Sequence, residues 1–181
     1  MKIEKLKRDF FVRPTLEVSK DLLGKYIVRK IGNKELVGRI IETEAYIGPK
    51  DRASHAFGGK ITPRNQAVFL VGGHIYIYLV YGLYWMLNFS TEKQGKPECV
   101  LIRALDPEGE DKKLADGPGK LTQWLKLNKS FYGKDLTKSS KIWLEHREQE
   151  IDFSQIKATP RIGIDYAGPY WSKIKWRFLI K

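Results

Sequence analysis

The segment HIYIYLVYGLYWMLNFS, residues 74–90, decides the fold of this chain. Alternation of apolar and polar residues in each half predicts two paired strands, which we call the finger. Only one register keeps the apolar residues on one face, since a one-residue slip would turn every side chain over. That register contains three cross-strand pairs: Leu79 with Trp85, Ile77 with Leu87, and Ile75 with Phe89. It leaves a three-residue tip, Tyr81-Gly82-Leu83, in which Gly82 supplies the positive φ.

The other face of the finger carries Tyr76, Tyr78, Met86 and Asn88 and is expected to point away from the core. Two interpretations of these tyrosines stay open: a functional face, or an ordinary half-buried sheet, in which Tyr is a favoured residue. Tyr81 is more informative, since hairpin tips normally carry Asn, Asp, Gly or Ser. Aromatic and apolar side chains are what proteins insert between bases in the minor groove.

The composition favours a polyanionic partner. The 181 residues include 33 Lys and Arg against 21 Asp and Glu, a net charge of +12. The positive residues are spread along the chain, which indicates a charged folded surface, and nucleic acid is the commonest partner of such a surface. No long amphipathic helix carries this charge, so a membrane partner is not expected. The length suits a single domain over residues 1–181.

The sequence indicates no metal site, disulfide or membrane segment. Cys99 is the only cysteine, from which an intracellular location is expected. The three histidines, His55, His74 and His146, are far apart and have no partner at ligand spacing. The start of the chain lacks the apolar core of a signal peptide, and no apolar run reaches membrane-spanning length.

Periodicity and turn residues predict an order of elements for the rest of the chain. A helix is expected from Thr15, a candidate cap, to Leu23, and a second helix from Pro118. A loop that follows a strand is expected at residues 48–59, a place that commonly carries chemistry. Further strands are predicted at residues 25–31, 36–46, 99–105, 161–164 and 176–180.

Glu44 is the sharpest candidate for chemistry, because it falls where its strand is expected to be buried. A carboxylate in a dry pocket can act as a base toward water. The alternative is an ordinary ion pair with Arg103 or Arg39, and spacing alone favours that alternative. A phosphate-binding loop at GPGKLT, residues 117–122, fails its motif, although Lys120 at a helix start can still meet one phosphate.

Together these segments resemble the 3-methyladenine (alkyladenine) DNA glycosylase family. The resemblance rests on blocks in the family's order and spacing: ETEAYIGPKDRASHAFGGKITPRN (42–65), IYIYLVYGLYWMLNFS (75–90), CVLIRALDP (99–107), DGPGKL (116–121), and PRIGIDYAG with WRF (160–168 and 176–178). With FFVRP near the start, they cover nearly the whole chain. The first block and the finger are specific, whereas GPGKL alone would be weak.

The resemblance implies an α+β fold, a single mixed domain with a curved antiparallel sheet, surrounding helices and a protruding hairpin. It implies a monofunctional, monomeric enzyme that flips an alkylated or deaminated purine out of double-stranded DNA and hydrolyses the N-glycosidic bond, without cofactor, metal or lyase activity. The roles it implies are these: Glu44 deprotonates the attacking water, Arg103 positions it, Tyr46, His55 and Tyr78 surround the base, Asn88 excludes guanine, and Tyr81 fills the gap in the stack. Lys120 and Arg64 are expected at the DNA backbone.

An alternative from another class is a non-catalytic module that senses distorted DNA with the same finger and pocket. Glu44 separates the two hypotheses, because a binder needs no carboxylate facing the sugar. Between Asp106 and Asp116 the chain is shorter than the family members that carry a basic stretch there, which leaves its contacts with the DNA backbone open. Met86, Val68 and Lys175 also differ from the residues expected of the family, which leaves the lesion preference open.

Overall fold

The structure is a computed structural model that describes residues 3–147 and 151–180, and these form nine strands and four α-helices. The strands are β1 (Glu4–Lys5), β2 (Tyr26–Ile31), β3 (Lys34–Ile47), β4 (Ile75–Val80), β5 (Tyr84–Ser90), β6 (Glu98–Pro107), β7 (Ile142–His146), β8 (Ile156–Thr159) and β9 (Arg177–Ile180). The helices are α1 (Arg8–Phe11), α2 (Thr15–Asp21), α3 (Pro118–Trp124) and α4 (Pro169–Lys173).

All the strands belong to one antiparallel sheet. Their order is β1-β7-β2-β3-β6-β5-β4, and β9 pairs with both β3 and β8. The long strand β3 is paired on one side with β6 and on the other with β2, and β9 takes over from β2 at Glu42–Glu44. The expected α+β class with an antiparallel sheet and a hairpin is confirmed.

The finger has the predicted register. Cross-strand partners between β4 and β5 include Leu79 with Trp85, Ile77 with Leu87, and Ile75 with Phe89. Val80 pairs with Tyr84, so the tip is the predicted three residues. Gly82 has the expected positive φ of 70°, and Tyr81, with φ 53°, is left-handed as well. Two successive left-handed residues turn the chain sharply and leave the Tyr81 ring exposed.

The tyrosine face of the finger is more buried than its sequence suggested. Tyr76 and Asn88 are buried, and Tyr76 packs in a second cluster with Ala67, Val68 and Cys99. The expectation that this face points away from the core holds only for the main core. The 3₁₀ turn at Gln66–Phe69 covers the base of the finger, which the alternation of apolar residues could not reveal.

Strand β3 carries a register irregularity where it meets the central residues of β6. Ile40 lies opposite Leu105 and Glu44 opposite Leu101, but the register shifts on both sides of Glu42. Such irregularities bend a strand and re-aim its side chains, and they are common beside active sites. This one lies two residues before Glu44.

Two local predictions were wrong. Thr15 is the first residue of α2 rather than its cap, and its hydroxyl instead bonds the buried side chains of Thr91, at 2.7 Å, and Glu98. Residues 161–164 are not a strand, because the guanidinium of Arg161 and the amide of Ile162 bond to groups of β3 and of the loop that follows it. The strand in this region is β8, which pairs with β9.

The predicted helix at Pro118 is confirmed as α3. Leu121 and Leu125 are fully buried, and Trp124 packs against the same core. Helix α3 packs on β5, and the hydroxyl of Thr122 donates to the carbonyl of Trp85 at 2.9 Å. The helix therefore supports the finger from behind.

Candidate active site

A cavity of about 600 Å³ opens between the finger, strands β3 and β6, and the segments around Ser54 and Ile164. Seven of the residues singled out from the sequence line it: Tyr46, His55, Arg64, Tyr78, Tyr81, Asn88 and Arg103. Glu44 and Lys120 do not line it directly. Residues that are distant in sequence therefore come together around one space large enough for a purine base.

Glu44 lies behind the cavity surface and has no solvent-exposed area. One carboxylate oxygen accepts the Tyr46 hydroxyl at 2.8 Å, and the other accepts the amide N–H of Ile162 at 2.9 Å. Arg103 lies 3.4 Å from the second oxygen. These three contacting residues all line the cavity, so the carboxylate is one side chain away from it.

Glu42 forms ion pairs with two arginines. Its Oε1 atom accepts from Nε of Arg103 at 2.8 Å and from Nε of Arg177 at 2.6 Å. Arg103 therefore bridges Glu42 and Glu44, which agrees with the ion-pair interpretation of Glu44. Arg39 instead pairs with Asp106, at 3.4 Å. The pairing with Arg103 and a role in chemistry do not exclude each other.

Burial raises the pKa of Glu44 above the ordinary carboxyl value, although Arg103, the Ile162 amide and the Tyr46 hydroxyl oppose the shift. A buried carboxylate favours its neutral form unless charges and donors compensate. A raised pKa makes the ionised form a stronger base, which suits proton transfer from water near neutral pH. Perturbation of this kind in a cavity is typical of functional residues.

Three aromatic rings line one side of the cavity. The centroids of Tyr76 and Tyr78 are 5.1 Å apart, and His55 meets Tyr78 edge-on at 4.6 Å. Nδ1 of His55 shares a hydrogen bond of 2.6 Å with the Tyr76 hydroxyl. Burial, helped by the charge of Arg64, lowers the pKa of His55, so the imidazole is neutral at neutral pH. The imidazole itself therefore adds no positive charge to the wall of the cavity.

Asn65 holds His55 in this position. Its side-chain amide donates to the carbonyls of His55 at 2.8 Å and of Lys60 at 2.9 Å, and its Oδ1 accepts the amide N–H of Thr62 at 2.7 Å. The long loop after β3 is therefore folded around one buried amide side chain. Asn65 belongs to the TPRN segment that contributed to the resemblance.

Asn88 is fixed within the finger. Its amide nitrogen donates to the carbonyls of Tyr76 at 3.2 Å and of Met86 at 3.1 Å. Both amide hydrogens are thereby used by the backbone. The oxygen has one weak contact, 3.9 Å from the sulfur of Cys99, and both residues line the cavity.

The two residues predicted at the DNA backbone have different surroundings. The Arg64 guanidinium lies 5.3 Å above the centroid of Tyr78 and donates to the carbonyl of Leu79 at 3.3 Å. Lys120 lies on the exposed side of α3, where it pairs with Asp116 at 2.7 Å. Only Pro118 of this helix reaches the cavity.

Sequence reasoning missed three residues of the site: Asp51, Arg161 and Tyr166. Asp51 and Arg161 form a completely buried ion pair. Tyr166 lines the cavity, is 71% exposed, and donates its hydroxyl to the carbonyl of Ala53 at 3.2 Å. All three lie within the quoted blocks DRASH and PRIGIDYAG, yet nothing in the spacing showed that these blocks meet.

Within residues 3–147 and 151–180 no group of three or more His, Cys, Asp or Glu side chains is arranged to hold a metal ion. No helix in that part of the chain has both the length and the apolar character required to cross a membrane.

Comparison with known sequences shows which family this chain is similar to. The sequence profile of the methylpurine-DNA glycosylase family matches residues 9–181. The chain is 40% identical to a protein of Natranaerobius thermophilus that is provisionally named a 3-methyladenine DNA glycosylase, over 98% of this chain and 96% of that protein. It is 38% identical to the DNA-3-methyladenine glycosylase of Homo sapiens, over 99% of this chain and 66% of the human protein.

The cavity, the sheet and these likenesses define a DNA glycosylase, a repair enzyme whose substrate is DNA with a damaged base. The chain belongs to the methylpurine-DNA glycosylase family.

Proposed function

We propose that this protein excises 3-methyladenine and related alkylated or deaminated purines from double-stranded DNA, as one catalytic domain acting as a monomer. The observation that carries the proposal is the position of Glu44, one side chain behind a cavity with aromatic walls. The names of the relatives support 3-methyladenine as a substrate. The net charge of +12 supports a duplex partner through its phosphates.

The aromatic walls suit a flipped, alkylated base. Extrusion costs a few kcal/mol of stacking and pairing, and less for a damaged base. Tyr46, His55 and Tyr78 offset this cost by stacking, and tyrosine faces attract a cationic base such as 3-methyladenine. Tyr81 occupies the gap left in the stack. Asn88, immobilised by its two carbonyl partners, excludes purines that carry a 2-amino group.

Hydrolysis then needs a water molecule between Glu44 and the anomeric carbon. The water oxygen bonds to that carbon, its proton passes to Glu44, and the base departs with the electrons of the glycosidic bond. Negative charge on Glu44 also stabilises the oxocarbenium-like transition state. Arg103 orients the water and keeps the carboxylate ionised. The described residues that line the cavity include no lysine, so neither a Schiff base nor strand cleavage is proposed.

The complete burial of Glu44 is the one observation that favours the alternative, a module that senses distorted DNA without catalysis. Under the main proposal, a small movement of Tyr46 or Arg103 at the cavity surface admits the water.

Base release from alkylated duplex by wild type and Glu44→Gln separates these proposals. The variant keeps the shape of the side chain and removes the base, so we expect release to fall by about 10²- to 10⁴-fold while affinity for lesion-containing duplex persists. Equal release by both proteins would exclude Glu44 from the mechanism. No release by wild type across several lesions would favour the binding module.

A further inference from the structure

We propose that the buried Asp51–Arg161 pair is a positioning unit that fixes both hydrogen-bond donors on the Glu44 carboxylate. This inference rests on the proposed role of Glu44 and extends it to residues that do not touch the substrate. The pair lies outside the set of residues that the resemblance implied.

The guanidinium of Arg161 has an unusually constrained position. Its side chain and that of Asp51 are completely buried, with Nη1 to Oδ2 at 2.5 Å and Nη2 to Oδ1 at 2.9 Å. Nη1 also donates to the carbonyl of Ala45 at 2.9 Å, and Ala45 is the residue between Glu44 and Tyr46. Nε has no hydrogen-bond partner among the described residues. Stability alone does not account for such a pair, because apolar residues of similar volume often serve as well.

The first donor is held through the chain. Ile162 follows Arg161 directly, and its amide N–H bonds one oxygen of Glu44 at 2.9 Å. This segment is not part of the sheet, so no ladder of backbone bonds fixes that amide. The bidentate bond to Asp51 and the bond to Ala45 hold it there instead. Bidentate arginine–carboxylate pairs fix geometry as well as charge.

The second donor is held by packing. The Arg161 guanidinium lies 4.7 Å from the centroid of Tyr46, whose hydroxyl bonds the other oxygen of Glu44 at 2.8 Å. Asp51 fixes the end of the same strand, since its Oδ2 accepts the amide N–H of Ile47 at 3.2 Å. One ion pair therefore touches the Tyr46 ring and holds the segment that carries the Ile162 amide, the two donors to Glu44.

The expected consequence is a change in the acidity of Glu44. Among the described residues, the titratable and charged groups around it include Arg103 from β6, Glu42 and Tyr46 from its own strand, Arg177 from the paired strand β9, Tyr78 from the finger, Tyr166 from the segment that follows Arg161, and the Asp51–Arg161 pair itself. When the two donors move away, burial is less well compensated, and the carboxylate gains its proton at higher pH. A purely structural pair would lower stability without this change.

The experiment compares Asp51→Asn and Arg161→Lys with a control in the core, Leu144→Ala in β7, whose side chain is also buried. Single-turnover base release from alkylated duplex is measured against pH at saturating protein, together with thermal unfolding. We expect Asp51→Asn to slow release by about 10- to 100-fold at pH 7, as displaced catalytic groups do. In Arg161→Lys, which keeps the positive charge but cannot make the bidentate bond to Asp51, we expect slower release than in wild type and a midpoint of the acid limb at higher pH. The midpoint of Asp51→Asn is not diagnostic, because that substitution leaves the buried charge of Arg161 unpaired and this charge favours the ionised form of Glu44.

We expect Leu144→Ala to unfold at a lower temperature but to keep the wild-type midpoint of the acid limb, provided that release is assayed below its unfolding temperature. The inference would be overturned if both variants released the base at the rate of the control and the acid-limb midpoint of Arg161→Lys did not shift. If Asp51→Asn does not fold, the same two measurements on Arg161→Lys decide. Failure of both variants to fold would assign the pair a structural role.

Glu44→Gln in the same assay separates this inference from the proposed function. Base release by that variant at the wild-type rate means that the mechanism through Glu44 fails. An inactive Glu44→Gln beside a normal Asp51→Asn means that only the positioning role fails.

Discussion

The floor of the cavity and the tip of the finger are built in opposite ways. Glu44, in the floor, has no exposed surface and a donor on each carboxylate oxygen, whereas Tyr81, at the tip, is 91% exposed. The floor belongs to the longest strand, paired on both sides, and the tip to a two-stranded projection. The comparison teaches that the proposed chemistry is placed where groups are buried and hydrogen-bonded, and the proposed recognition where a side chain can enter another molecule.

The largest effect should come from the floor. We expect Arg103→Gln to reduce the single-turnover rate roughly 100-fold, because one positioned donor in an active site is worth about 10²- to 10³-fold. Glu42 would keep its bond to Arg177, so the sheet should remain intact. Affinity for lesion duplex should change little. Arg39→Gln, which breaks the pair with Asp106 on the same strand, is the matched control and should retain the rate.

Acidification should affect the floor next. Because burial raises the pKa of Glu44, base release should begin to fall at a pH above the ordinary carboxyl range, by up to about tenfold per pH unit below that pKa. Because burial lowers the pKa of His55, its imidazole gains a proton only at a lower pH than an ordinary histidine does. A pH–rate profile tests this, and a flat profile down to pH 4 would contradict the role of Glu44.

The same pKa shift has a consequence for stability. The folded state holds the Glu44 proton more tightly than the unfolded state, so stability falls as pH rises from the ordinary carboxyl value through the raised one. Glu44→Gln lacks this loss. Across that pH interval, unfolding in denaturant should therefore show the free energy of unfolding of the variant rising relative to that of wild type.

At the tip, Tyr81→Ala should weaken binding to lesion-containing duplex by about tenfold, since stacking of an aromatic side chain on a base is worth about 1–3 kcal/mol. Binding to lesion-free duplex should weaken less, because the ring acts mainly when a base has left the stack. Tyr170→Ala, which removes a tyrosine of similar exposure outside the finger, is the control. Equal weakening on both duplexes would make Tyr81 a general contact.

Between the two regions, Asn88→Ser should raise release of undamaged guanine by a few-fold, because it shortens a side chain held by two backbone carbonyls. The measurement is the ratio of guanine to alkylated purine released from matched duplexes. An unchanged ratio would place the discrimination elsewhere.

The smallest effect is expected away from both regions. Lys120→Gln should reduce the slope of log affinity against log salt concentration by about one if Lys120 meets a phosphate. Lys34→Gln, at the start of β3, should leave the slope unchanged. Identical slopes for both variants would remove Lys120 from the DNA interface.

The finger shows what a local sequence pattern can predict and what it cannot. Its register and tip followed from alternation, because only one pairing keeps Ile75, Ile77 and Leu79 on a face with their partners. The same pattern failed for Tyr76, whose burial depends on a turn at residues 66–69 that packs on it from outside the hairpin. The error at residues 161–164 has a similar origin, since bonds to distant groups, which the local pattern does not show, fix the chain there.

By itself the sequence determined the α+β class, the finger, and the family, because periodicity and the order of motifs are local properties that can be compared residue by residue. Only the tertiary structure brought Glu42, Glu44, Arg103 and Ile162 together and joined Asp51 to Arg161 across 110 positions. Side-chain contacts between such distant segments depend on strand order and loop paths. The energy of burying Glu44 depends on its partners in space, which spacing along the chain does not encode.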